Sequence, residues 1–218
     1  MLKAAFITGA HPYEVLALHD MLDQLKGIRL YPQSLEEFTN SSERNGEYDV
    51  LIFYNMHKPT PQLEDHWPYN RTREVLEKLG ETGQGILVLH HGLLAFPEWE
   101  LWSELTGLTQ RTIESYHYGQ ELLVEPADGG HPLTKGMSPW ELTDETYRMA
   151  AARQHDGNQI LLKTAHAYST PTLAWTRRYR QAQVLCMQPG HGSTAFQNED
   201  YRKFLEKGLH WLAGKPLF

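Results

Sequence analysis

The sequence has almost no cysteine. Cys186 is the single one in 218 residues, which excludes an intrachain disulfide and a cysteine-built metal cage. A reducing cytoplasm fits that usage. Long apolar runs are missing too. Hydrophobic residues make up 40% of the chain, and no stretch approaches the ~20 residues of a membrane span. The opening MLKAAFITGAH has an apolar core too short for a signal peptide and reads as a first strand. Positive charge is scarce: the net charge is −7 and there is no basic run. That argues against nucleic acid as a partner, because neutralising phosphate supplies most of such affinity. Familiar catalytic signatures are absent as well. There is no H-E-x-x-H or C-x-x-C zinc motif and no G-x-S-x-G of serine hydrolases. Gly9-Ala10-His11 follows the first strand but lacks the G-x-G-x-x-G spacing, so no nucleotide cofactor is expected. Without repeats, low-complexity tracts or an interdomain linker, one domain over residues 1–218 is the simplest account.

What remains is a chain of alternating strands and helices. Leu2 to Thr8, Ile28 to Tyr31, Tyr48 to Tyr54, Ile86 to Leu89 and Ala182 to Gln188 are short apolar runs of the kind buried on both faces of a sheet. Tyr13 to Leu25 carries Val15, Leu18, Leu22 and Leu25 at helical spacing, and Asp200 to Leu212 carries Tyr201, Phe204, Leu205, Leu209 and Leu212. Thr72 to Leu79 is a further helix, and Ser34 to Glu47 is a loop with one helical turn. After Gly107 the pattern changes. Thr112 to Glu125 alternates loosely, as an antiparallel strand does, and Leu142 to Met149 follows a turn-rich HPLTKG. Ile160 to Thr164 and Pro171 to Trp175 read as a hairpin. The expected class is α/β.

The centre of the pattern is GQGILVLHHGLLAFPEW, from Gly83 to Trp99. A buried strand stops at His90-His91-Gly92 and a helix-compatible segment begins at once. That layout puts the turn at the carboxyl end of the sheet, where open α/β sheets bind ligands. A nucleophile elbow has the same layout with Ser or Cys at the turn. Here the turn holds two histidines and no nucleophile. The plain alternative is that His91 only caps the turn.

Histidine is abundant, with twelve in the chain. His11, His57, His90, His91, His166 and His191 all follow predicted strand ends, so imidazoles are expected to converge on one sheet edge. Such a cluster suits proton transfer or a metal. For any one of them, a turn residue bonding local backbone is the ordinary reading. His91 and His191 with the Glu145 carboxylate could bind a divalent ion, zinc or similar, and leave positions open for substrate. Without a metal the same residues could serve as general acid and base. Cys186 lies inside a buried strand and reads as an inert core thiol.

ILVLHHGLLAFPEW, ELTG, HPLTKGM, DETY and VLCMQPGHGSTAF occur in that order, and the set resembles the trehalose-utilisation (ThuA-like) family over nearly the whole chain. The resemblance implies a class I glutamine-amidotransferase-like fold: a flavodoxin-like, mostly parallel sheet with helices on both faces. It implies that His90 or His91 stands where an amidotransferase carries its Cys, and that His191 lies near that enzyme's catalytic His. Amidotransferase chemistry does not carry over, since the elbow has no Cys and His191-Gly192-Ser193 replaces the expected His-Pro-Glu. The family implies sugar catabolism, with 3-keto sugars among its neighbouring chemistry. Motif positions that match it are His11, His91, Gly92, Trp99, His117, Glu145, Tyr147 and His191. Each has a plain alternative: Trp99 in the core, Tyr147 in packing, Gly92 in the turn, Glu145 in a surface salt bridge.

Two functions follow. The first is an enzyme, a hydrolase or lyase, acting on a glycoside or 3-keto sugar. His91, Glu145, His191 and His117 would be its catalytic set, and His11, Asn55, Trp99 and Tyr147 would bind substrate. The second is a non-catalytic sugar- or partner-binding module that kept the fold and lost the nucleophile. A small sugar is the expected partner, with no membrane; a homo-oligomer stays open. The enzyme reading carries a geometric expectation. His91, Glu145 and His191 should face one polar pocket within about 12 Å, walled by Trp99 and Tyr147, with His117 as fourth member.

Overall fold

The computed structural model describes residues 1–127 and 129–217. Its nine strands form one sheet in the order β2-β1-β3-β4-β9-β8-β7-β5-β6. The strands are β1 (Leu2–Gly9), β2 (Ile28–Ser34), β3 (Val50–Asn55), β4 (Gly85–Leu89), β5 (Ser115–Pro126), β6 (Trp140–Arg148), β7 (Gln159–Lys163), β8 (Thr172–Tyr179) and β9 (Ala182–Met187). The helices are α1 (Val15–Gln24), α2 (Leu35–Asn40), α3 (Thr72–Glu77), α4 (Glu100–Thr106), α5 (Ser193–Gln197) and α6 (Glu199–Leu212). Pairings from β2 through β9 are parallel. Those among β9, β8, β7, β5 and β6 are antiparallel. The sheet is therefore mixed, with the parallel pairings at one end and the antiparallel ones at the other.

Period-two alternation sorts the central side chains into two cores. Phe6, Ile52, Leu87 and Leu185 point to the layer holding Leu18 of α1 and Tyr201, Phe204 and Leu209 of α6. Their neighbours Ile7, Phe53, Val88 and Cys186 point to the layer holding Phe38 of α2, Leu76 of α3 and Trp102 and Leu105 of α4. Each such side chain contributes roughly 1.5–3 kcal/mol by leaving water. Cys186 is fully buried, and burial pushes its thiol pKa up. No helix among the described residues is long and apolar enough to cross a membrane.

Local chemistry explains the element ends. A capping box closes α2: Ser34 accepts from the Glu37 amide while the Glu37 carboxylate accepts from the Ser34 amide. Asn198 caps α6 by accepting from the Tyr201 amide at 2.9 Å. The stripe on α6 is buried as expected. On α1, Leu18 and Leu22 are buried with Met21, but Val15 stands 54% exposed in the first turn. The segment after β4 is a 3-10 turn, His90–Leu94, and the regular helix begins only at Glu100.

Candidate functional site

The turn after β4 is built by two neighbouring positions. His90 has φ +50, a left-handed conformation that costs a non-glycine residue energy and marks strand-to-helix elbows. At Gly92 a Cβ would overlap the carbonyl oxygen of Phe53, so the turn closes against β3 only with glycine there. The elbow therefore aims His90 off the carboxyl end of the sheet.

His90 is fully buried and meets four groups. Its Nδ1 lies 2.6 Å from the Gln188 carbonyl oxygen. A carbonyl only accepts, so Nδ1 carries the proton and Nε2 presents a lone pair. Around that lone pair stand the Tyr147 hydroxyl at 2.7 Å, Glu145 Oε2 at 3.0 Å and His191 Nδ1 at 3.2 Å. His191 Nδ1 is also 2.9 Å from Glu145 Oε2. Tyr147 stacks on His90 with centroids 4.8 Å apart. Burial and the nearby Glu145 charge raise the Tyr147 pKa far above its usual value, so the phenol stays a donor. Burial works against the Glu145 carboxylate, yet the hydrogen bond from His191 and the charge of that ring hold its pKa well below normal. The hydrogen bond to Glu145 raises the pKa of His191. His191 is the half-exposed member, with its side chain 29% accessible.

The loop carrying His191 is fixed from several sides. Buried Asp144 accepts from the Gly190 amide at 2.6 Å and the His191 amide at 3.1 Å. The Tyr54 hydroxyl donates to the Gly190 carbonyl oxygen at 2.9 Å. Gln188 Nε2 donates to the Glu145 carbonyl oxygen at 3.1 Å, tying β6 to the same loop. Asp144, Gln188 and Tyr54 were not singled out from the sequence. The only signal for Asp144 was its place beside Glu145, and for Gln188 its place at a strand end.

The sequence-derived set divides. Glu145, His191 and Tyr147 come together as one group, and the elbow histidine that joins them is His90. His91 instead turns back under the sheet edge: its Nε2 donates to the Tyr54 carbonyl oxygen at 2.8 Å. Burial and the charges of His90 and His11 push its pKa down to about 2, so it is neutral. His11 stacks on His91 at 4.3 Å and stands edge-on to His191 at 6.2 Å, which puts it at the border of the group. Asn55 turns to His57, with Nδ2 3.3 Å from Nδ1. His117 is not brought in. It pairs across the strands with Thr146, which points opposite to Glu145 and Tyr147, and it packs on Tyr168. Trp99 does not wall the site either: it is 7% exposed in the core and stands edge-on to Phe96. His166 is the ordinary case, its Nδ1 accepting from the Tyr168 amide at 3.3 Å.

The three donor atoms of His90, Glu145 and His191 lie within 4.8 Å of one another, the single such group of three or more among the described residues. Two ligands ~2.1 Å from one ion would stand about 3–3.5 Å apart, near the 2.9–3.2 Å spacings here. The His90 Nδ1–H bond to a backbone carbonyl is the outer contact that metal-binding imidazoles usually make.

Residues 11–212 match the model of a protein family described as ThuA, trehalose utilisation. The chain belongs to the ThuA family. A ThuA-like protein of Parabacteroides merdae shares its fold with a TM-score of 0.73 at 18% identity, covering 100% of this chain and 92% of that one. A Thermoplasma acidophilum protein named for GMP synthase gives 0.57 at 13% identity, covering 98% and 94%. This ThuA chain also matches 32% of a β-galactosidase from Bacillus circulans, with a TM-score of 0.60, 16% identity and 99% of its own length covered. At these identities the likenesses establish the class I amidotransferase-like fold. No curated protein matches the ThuA chain in sequence.

Proposed function

We propose that this ThuA protein is an enzyme of sugar catabolism that acts on a glycoside or 3-keto sugar through His90, Glu145 and His191. The observation that carries the reading is the convergence of two imidazoles and a carboxylate on the elbow, where no nucleophile stands. A pure binding module has no use for such a group held in place at several points. The substrate class comes from the family's trehalose utilisation, and the β-galactosidase likeness agrees with it.

In a 3-keto glycoside the ketone acidifies the C2 proton. Removing that proton sends its electron pair toward the ketone oxygen as an enolate. When the enolate collapses, the C1–O bond breaks, and the aglycone leaves with a proton. Water then adds across the new double bond, so the sum is hydrolysis. Half-exposed His191 is the member that meets substrate. With Nδ1 turned to Glu145, its Nε2 is left to take the C2 proton and return it to the leaving oxygen. Glu145 fixes the ring's orientation and steadies its charged form. Tyr147 and Gln188 hold His90 beneath.

One contact favours a metal-assisted form. His90 Nε2 and Glu145 Oε2 face each other as lone pairs at 3.0 Å, an arrangement that needs a cation between them. A divalent ion on His90, Glu145 and His191 would satisfy it, and two imidazoles and a carboxylate suit zinc and its neighbours. Such an ion would supply polarisation of the ketone oxygen.

The test is turnover of a panel of 3-keto glycosides by purified, chelator-treated and metal-restored protein, with metal content measured alongside. Turnover lost in Glu145→Gln supports the reading. No turnover by the parent protein, with sugar affinity unchanged in Glu145→Gln, returns the chain to the binding-module reading.

A further inference from the structure

The exposed side of the group is bordered by β5 at an irregularity in that strand. Its pairing with β6 shifts register between His117 and Gln120. Inside that shift Gly119 has φ +62, and a Cβ there would meet nothing within 4 Å. Glycine is needed for the backbone bend and not for space. Bulges of this kind bend a strand and re-aim a side chain, and they cluster beside active sites. Beside that shift stands Tyr118, on the same face of β5 as Tyr116, which pairs with Tyr147; its ring centroid lies 5.1 Å from that of His191. Tyr116 follows, edge-on to Tyr118 at 5.5 Å. Rings thus run from buried His90 to His191 at 5.2 Å and out through Tyr118 to Tyr116. Tyr118 is 62% exposed and Tyr116 is 53% exposed. Two large rings thus stand outward beside the one accessible member of a buried acid–base group.

We propose that Tyr118, backed by Tyr116, is a stacking platform for a second sugar ring, so that the substrate is a disaccharide or a glycoside of similar reach. The inference rests on the sugar-processing reading above. The reacting ring lies over His191, and the leaving ring continues outward along the tyrosines. A pyranose presents a flat C–H face, which an aromatic ring covers, while its hydroxyls stay in water at the rim. An exposed phenol suits that role because it offers a flat apolar face with a polar tip.

The experiment compares 3-keto-trehalose with 3-keto-glucose. Affinities are measured by calorimetry on the Glu145→Gln protein, with Tyr118 kept, changed to Ala or changed to Phe. Steady-state kinetics are run on the same Tyr118 changes in the otherwise unaltered enzyme. The expected result for Tyr118→Ala is about tenfold weaker binding of the disaccharide and less than about twofold change for the single ring, with Tyr118→Phe near the parent. Equal loss for both sugars, no loss for either, or no binding of either by the parent protein overturns the platform. So does a Tyr118→Ala protein that changes its sedimentation, which would make this face an interface between copies. Turnover that proceeds with an unchanged KM in Tyr118→Ala sinks the platform alone. Disaccharide binding that depends on Tyr118 without any turnover sinks the catalytic reading alone.

Discussion

The two ends of the sheet do different work. The parallel end, β2-β1-β3-β4-β9, is covered by helices on both faces, and its strands inside the edge strand β2 are almost wholly buried. It contributes His90 and His191 as loop residues at strand ends, the position the fold supplies wherever parallel strands stop together. The antiparallel end contributes Glu145 and Tyr147 from inside β6 and Tyr118 from a bulge in β5. Strand β5 is largely open to solvent along its length. One end therefore fixes a generic location, and the other supplies the carboxylate, the phenol and the outer rings that make this site particular.

The sharpest way to break that comparison lies within the elbow. His90→Ala and Glu145→Gln should each lower kcat/KM by about 10²–10⁴, because the proton-transfer group His191 loses its buried neighbour or the carboxylate that orients it. His91→Ala should lower it less than about tenfold and instead cost about 1–3 kcal/mol in urea unfolding, since it loses a buried bond to the Tyr54 carbonyl. Equal losses at 90 and 91 would mean that the strained turn does not select His90. Asp144→Asn comes next. The buried carboxylate accepts two amides of the His191 loop, and an Asn amide can offer only one oxygen in its place. Activity should fall by roughly 10–100-fold with the fold intact by circular dichroism. Unchanged kinetics would show that β6 does not hold the loop.

The parallel end was legible in the sequence because burial on both faces writes unbroken apolar runs, and β1, β3, β4 and β9 all fall on such runs. Glu145 was legible through the DETY motif and His191 through its place after a late strand. Which of His90 and His91 faces the group was not. The choice is made by a single positive φ and by contacts to Gln188 and Tyr54, residues 98 and 37 positions away. His117 failed because its face depends on β5–β6 register, and a bulge beside it changes that register. Trp99 failed because aromatic character alone does not separate a core ring from a site wall. Tyr116 and Tyr118 share a face by period-two alternation, but nothing in the sequence says that this face meets His191.

Arg111 tests whether the loop after the elbow is a separate structural unit. The residue is 4% exposed. It donates to the carbonyl oxygens of Ala95, Phe96, Pro97 and Trp99 and to Ser103 Oγ. Burial lowers its pKa to about 10, which still leaves it charged at neutrality. Arg111→Met keeps much of the volume and strands those carbonyls, so unfolding in urea should cost about 2–4 kcal/mol. Because the clamp ends short of His90, kcat at low temperature should hold within about threefold. A larger loss of kcat than of stability would tie this loop to the chemistry.

The smallest effect concerns His57, one strand from the elbow. Burial lowers its pKa from the ordinary 6.5, opposed by its bond to Glu36. Its Nδ1 faces Asn55 Nδ2, its Nε2 lies 3.3 Å from Glu36 Oε1, and Phe96 and Tyr69 pack around the ring. The folded chain thus keeps His57 neutral where the unfolded chain binds a proton. Its contribution is complete above pH 6.5 and is lost as pH falls through that value toward the lower folded pKa. Burial would raise the Glu36 pKa, but hydrogen bonds from its own backbone, Tyr69 and Ser34, with the His57 charge, leave it below 4.5; that share is lost only in stronger acid. His11 and His91, also held neutral by burial, add to the first slope. His57→Gln should therefore flatten the decline in unfolding free energy between pH 7 and pH 5 by less than about 1 kcal/mol. Urea midpoints at the two pH values measure it. A decline as steep as the parent's would mean that His57 charges without cost, and that the neutral edge beside the elbow is set by His11 and His91 alone.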